Sequence, residues 1–116
     1  MGRVYTRDEL IVELAAAVGN LREVGSRGDV RRFADDRVFR FAVACLWSRL
    51  AEPTCQLVTR RLVGEGSRRT WEGMGRFRNM LAHEREQDID FVILWAEIPS
   101  TLDGTEAQVE RLTAAG

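Results

Sequence analysis

The sequence predicts an all-α protein, an antiparallel bundle of four to five helices. Three observations carry that expectation. A capping box near the start is followed by apolar residues at helical spacing. A second, longer apolar stripe runs from Val38 to Leu57. No stretch shows a convincing strand alternation, an internal repeat or low complexity.

Thr6-Arg7-Asp8-Glu9 is the capping box, with a hydroxyl at the cap and a carboxylate three residues on. Leu10, Leu14, Val18 or Ala17, Leu21 and Val24 then recur every three or four residues, so a helix is expected from about Arg7 to Val24. Gly25 should close it in the left-handed conformation that glycine adopts at little cost. After a short segment, Val30–Ala34, Asp35 is expected to cap the second helix. Its buried stripe is Val38 or Phe39, Ala42 or Val43, Leu46, Leu50 and Leu57. Phe41 and Trp47 widen this apolar face, as packing on two sides would require. Pro53 lacks an N–H and opposes the carbonyl of Arg49, so a kink or a break into two helices is expected there.

Gly64 to Ser67 reads as a loop, and Thr70 as the cap of a third helix from Trp71 to about Ala82. Met74, Phe77 and Leu81 should face inward. Gly73 and Gly75 are poor helix formers, and a close backbone approach would account for both. The last pattern begins at Asp88, runs through Phe91 or Val92 to Trp95, breaks near Pro99 and resumes through Leu102, Val109 and Leu112. Ser100 or Thr101 could cap that final piece. The run Phe91–Trp95 could pass for a strand, but its acidic flanks favour a helix.

A chain of 116 residues fits one domain, spanning 1–116. No apolar run approaches the roughly 18 residues that cross a bilayer. The charged start, Met1 to Glu9, is unlike a signal peptide, so a cytoplasmic protein without membrane contact is expected. Cys45 and Cys55 form no CxxC pair, and with one histidine they make no zinc set; both read as small core or boundary residues. No metal and no cofactor is implied.

Net charge is only −1, but it is unevenly placed. Arginines 60, 61, 68, 69, 76, 78 and 85 face only glutamates 65, 72 and 84 in the middle of the chain. From Glu86 onward the acids dominate, with Arg111 the single base. Such a middle can form a local phosphate site, or can simply be solvated helix faces. Lysine is absent, and arginine's planar fork grips phosphate at two points.

The groups for chemistry gather in one stretch, Arg78-Asn79-Met80-Leu81-Ala82-His83, which holds the only histidine. An imidazole both takes and gives a proton near neutrality. A guanidinium stabilises charge that builds up on a phosphate. Together they suffice for metal-free RNA cleavage, with Asn79 fixing the phosphate or orienting the histidine. On a regular helix Arg78 and His83 stand about 140° apart. They converge only if the helix ends near His83, or if two copies meet across a two-fold axis. The plain alternative is a histidine at a helix C-terminus, an arginine paired with Glu84 or Asp88, and a solvated asparagine.

The same stretch resembles the Arg-x4–6-His motif of the HEPN superfamily, including the polar residue after the arginine. The wider frame is similar to HepT-like proteins, the toxin half of MNT/HepT toxin–antitoxin pairs. Trp71 lies before the motif. After it come Asp88 or Asp90, Trp95 and Pro99-Ser100-Thr101-Leu102. The likeness covers about Phe33 to Leu112. It implies a HEPN-like bundle that dimerises, and a metal-independent endoribonuclease acting on RNA. It also implies an MNT-type nucleotidyltransferase antitoxin as partner. Carried over, Arg78 and His83 would be catalytic, with Asn79 supporting them; Arg76 and Arg85 would add contacts to RNA. One position departs from the family. HepT proteins typically read Arg-x4-His-x-Tyr, and that tyrosine can accept nucleotidyl groups from the antitoxin. Here Arg85 stands in its place, with no hydroxyl to modify. Two other readings therefore remain open: a catalytically inactive HEPN module that binds RNA, a nucleotide or a nucleotidyltransferase, and a plain helical interaction protein.

Overall fold

The computed structural model describes residues 4–64, 68, 69, 72–75, 77, 79 and 86–114, and among them there is no strand. Helix α1 spans Arg7–Gly25 and opens on the expected capping box. The Glu9 N–H donates to Thr6 Oγ1 at 3.1 Å, and the Thr6 N–H donates to the Glu9 carboxylate at 3.2 Å. Leu10, Ile11, Leu14, Ala17, Val18 and Leu21 are buried, which is the predicted stripe widened by Ile11 and Ala17. Gly25 is the last residue of α1 and does not take the left-handed cap. Ser26 continues in the right-handed region; its N–H donates to the Arg22 carbonyl and the Arg27 N–H to the Val24 carbonyl, so no reversal is needed there.

Helix α2, Val30–Asp35, occupies the short segment expected before the second helix. Asp29 caps it, accepting the Arg32 N–H at 2.8 Å. The cap of the next helix, α3 (Arg37–Thr59), is Asp36 rather than Asp35. Asp36 is extended and its carboxylate accepts the Phe39 N–H at 3.1 Å, while Asp35 is still helical. The turn between α1 and α2 is tight. A Cβ on Gly28 would lie 2.6 Å from Cζ of Phe39, so only glycine lets that ring lie against the backbone.

On α3 the structure chooses Phe39, Val43, Trp47, Leu50 and Leu57 for the core, with Pro53, Thr54 and Val58 also buried. Val38, Ala42 and Phe41 face outward, and Leu46 is half-buried. Phe39, Val43, Leu50 and Leu57 thus lie on the expected stripe, and Trp47 takes the buried place in it that was expected of Leu46. Cys45 is exposed on the outward face, not a core residue, while Cys55 is at the boundary. Pro53 does not break α3, which runs through it. The buried Thr54 hydroxyl donates to the Leu50 carbonyl at 3.0 Å, and Pro53 itself is buried against the core. Helix α3 ends with a full reversal. Arg61 is left-handed (φ 57°), its N–H donates to Val58, and the Leu62 N–H donates to Leu57.

Residues 68, 69, 72–75, 77 and 79 are helical and are grouped as α4. Arg68 and Arg69 are thus helical ahead of the expected cap; Thr70, Trp71, Leu81 and residues 65–67 lie outside the described residues. Met74 and Phe77 are fully buried, as predicted. Among the described residues Gly75 makes no close approach: a Cβ there would meet none of their atoms within 4 Å. After a 3-10 turn at Glu86–Asp88 comes α5, Phe91–Ala114. Asp90 caps its start, accepting the N–H groups of Val92 and Ile93 at 3.1 Å each. The expected break at Pro99 is absent, and Ser100 caps nothing; its hydroxyl donates to the Glu97 carbonyl within the continuous helix.

The order of contacts makes α1 antiparallel to both α3 and α5. At its start, Arg7 donates through Nε to the Leu62 carbonyl beyond α3 and through Nη2 to the Leu112 carbonyl of α5. Toward its end, Arg22 pairs with Asp103 at 2.8 Å and Glu106 at 3.2 Å. Helix α2 packs against α3 and α5. Among the described residues no helix is long and apolar enough to cross a membrane.

Candidate functional site

Of the five residues singled out in the sequence, the structure describes Asn79. It is helical and exposed on α4. Arg76, Arg78, His83 and Arg85 lie outside the described residues. What the structure does define is the attachment of the segment that carries them. Phe77 stacks on Trp47 of α3, with ring centroids 3.9 Å apart and planes 21° from parallel. The indole Nε1–H of Trp47 donates to the Met74 carbonyl at 3.0 Å. Trp47 is 1% exposed, so this bond is made away from water, where leaving either group unpaired would be costly. One α3 side chain thus fixes both the depth and the rotation of α4. Phe77 is turned inward and Asn79, two positions on, is turned out.

The residues that flank the segment on its C-terminal side are placed as a group. Asp90 caps α5, and Trp95 packs its ring against Phe33 at 5.2 Å and Phe39 at 5.9 Å. Phe91 meets Phe33 edge-on at 5.8 Å. Beneath these rings lies Arg40, only 7% exposed. Its Nη1 donates to the carbonyls of Phe33 and Ala34 at 3.0 and 2.7 Å, and its guanidinium lies 4.6 Å from the Phe91 ring centre. Those two carbonyls belong to the last turn of α2, where the backbone supplies no helical partner. Arg40 was not singled out in the sequence, because an arginine beside Phe39 reads as a solvated position.

The basic middle and acidic tail do not form one uniform field. Asp103 and Glu106 of the tail are turned to Arg22 of α1, and the hydrogen bond to Asp103 holds that guanidinium above its ordinary value. Arg60 donates to the Tyr5 carbonyl at 2.7 Å. Arg61, Arg68 and Arg69 are exposed around the α3–α4 connection.

The fold and this attachment define a small all-helical protein whose polar Asn79 is presented outward from a firmly anchored helix. No family model, no curated protein and no solved structure matches the chain.

Proposed function

We propose that the protein is a metal-independent endoribonuclease toxin of the HepT-like group of the HEPN superfamily, acting as a homodimer and neutralised by an MNT-type nucleotidyltransferase. The observation that carries this reading is the segment Arg78-Asn79-Met80-Leu81-Ala82-His83 in its frame of Trp71, Asp90, Trp95 and Pro99-Ser100-Thr101-Leu102. The all-helical architecture and the outward Asn79 support it.

In this mechanism His83 removes the proton from a ribose 2′-hydroxyl. The oxygen attacks the adjacent phosphorus, and the bond to the 5′-oxygen breaks as that oxygen is protonated. The products are a 2′,3′-cyclic phosphate and a 5′-hydroxyl. Arg78 offsets the charge that grows on the phosphoryl oxygens. Asn79 holds the phosphate or the imidazole. A two-fold axis would bring two histidines to one cleft, so that one serves as base and the other as acid.

Arg85 favours a second reading. It cannot be nucleotidylated as the family tyrosine is, so neutralisation would rest on binding alone, or the module would bind without cutting. Purified protein, a structured RNA and EDTA separate the cases. Cleavage that persists in EDTA and falls by at least about 100-fold in His83→Ala and in Arg78→Ala supports the nuclease. RNA binding without cleavage supports the inactive module. Neither cleavage nor binding sinks both.

A further inference from the structure

We infer that the exposed ridge Arg37, Phe41, Cys45 and Arg49 of α3 is a track for single-stranded RNA, with Phe41 the platform on which an unpaired base stacks. The inference rests on the ribonuclease reading and says where the strand lies outside the Arg78–His83 segment. The four residues recur at every fourth position, so they form one continuous ridge on the helix surface. At the helical rise the ridge is about 18 Å long. All four are exposed, and Phe41 is 62% exposed. Val38 and Ala42 beside it are exposed as well, so the ring belongs to a patch and does not stand alone.

Charge decides what the patch meets. From Arg37 to Ala51, α3 carries three arginines and no acid. Arg40 is committed to the α2 carbonyls, which leaves Arg37 and Arg49 bracketing Phe41 on the outer surface. Asp35 and Asp36, before the ridge, face Arg31 and Arg32. Glu52, after it, accepts from Gln56 Nε2 at 3.3 Å. A guanidinium on either side of an open ring suits a polyanion with flat bases: phosphates meet the forks while a base covers the ring. A second copy of the chain suits it less. Laid symmetrically along the ridge, that copy would set Arg37 against Arg49, like charge on like.

The ridge also begins near the helix that carries Asn79. Arg68 lies beside Val58 and Arg61 at the end of α3, whereas Met74 and Phe77 meet Trp47 in its middle. The described part of α4 therefore runs back along α3 toward the end that bears Phe41. Phe41 stands about 120° around α3 from Trp47, so the ridge starts beside the α4 contact and not behind it.

The test uses the full chain as wild type, Phe41→Ala, Phe41→Trp and Arg49→Gln. The probe is a single-stranded RNA with 2′-O-methyl riboses, which cannot be cut. Phe41→Ala should weaken binding roughly ten-fold, and Phe41→Trp should bind at least as tightly as wild type. The slope of log Kd against log salt should be unchanged in Phe41→Ala, because a stack carries no charge. In Arg49→Gln it should flatten by about 0.7. Bound RNA should also shield the exposed Cys45 thiol, between Phe41 and Arg49, from N-ethylmaleimide. Wild-type binding with unchanged affinity in Phe41→Ala and an unshielded Cys45 would overturn the track, and would leave the ribonuclease reading to the His83 and Arg78 variants. A Phe41→Ala that loses self-association in sedimentation while its RNA affinity holds would give the patch to a second copy, and overturns the track as well. If wild type binds no RNA, the track and the ribonuclease reading fall together.

Discussion

Two stretches of α3 are secured in different ways. At the start, Phe33, Phe39, Phe91 and Trp95 form a mutual ring cluster, and Arg40 ties the end of α2 to α3 with two hydrogen bonds. Three helices share that junction, so no single ring decides it. In the middle of α3, Trp47 alone provides both the stack on Phe77 and the hydrogen bond to Met74. The contrast is between a junction shared by several rings and one where, among the described residues, a single indole makes both a ring stack and a hydrogen bond to the helix that carries Asn79. Stability and function should therefore come apart most clearly at Trp47.

The largest effect is expected there. Trp47→Ala should cost about 3–5 kcal/mol in chemical denaturation through the cavity it leaves. Trp47→Phe keeps a ring but orphans the Met74 carbonyl, at about 1–3 kcal/mol. On the nuclease reading it should reduce RNA cleavage more than that loss of folded protein explains. Equal losses of activity and of folded fraction would mean that Trp47 does not position α4. At the braced start, Arg40→Leu should cost roughly 2–4 kcal/mol, because one buried and one half-buried carbonyl lose their donor. RNA affinity should stay unchanged once the variant is folded. A near-neutral Arg40→Leu would mean that water replaces the guanidinium.

The smallest effect is one of pH. The Phe39 N–H, with Arg32 beside it, holds the Asp36 carboxyl below its usual range. A folded value below the unfolded one means the contribution is complete above about pH 4 and is lost as pH falls through the folded value. Asp36→Asn retains an acceptor but cannot ionise. Its melting temperature should lie slightly below that of wild type near pH 6, and the two should converge toward pH 2. A constant gap across that range would show that the carboxylate charge is irrelevant to the cap.

What was legible in the sequence is local. The Thr6–Glu9 box depends on bonds spanning three residues, and it was read correctly. Met74 and Phe77 were assigned inward because spacing alone sets that face. The errors lie where distant contacts decide. Two adjacent aspartates before α3 offer the same cap chemistry, and only the extended backbone at Asp36 selects one. Pro53 and Pro99 argue locally for breaks, but each helix is packed on both sides of its proline and continues. Leu46 and Trp47 are both apolar neighbours on α3, and it was the unseen Met74 carbonyl that drew the indole inward. Of the candidate site, residue type and frame single out Arg78 and His83, both of which lie outside the described residues. The anchor of its helix was not, since Trp47 and Met74 lie 27 residues apart.

Arg7 reaches the Leu62 and Leu112 carbonyls, 55 and 105 residues further along the chain. On a ribosome, α1 would emerge long before either acceptor existed. This clasp can therefore close only after translation has passed Leu112, well after α1 itself has been made. Nascent chains stalled before that point should leave α1 open to proteases that the finished protein resists.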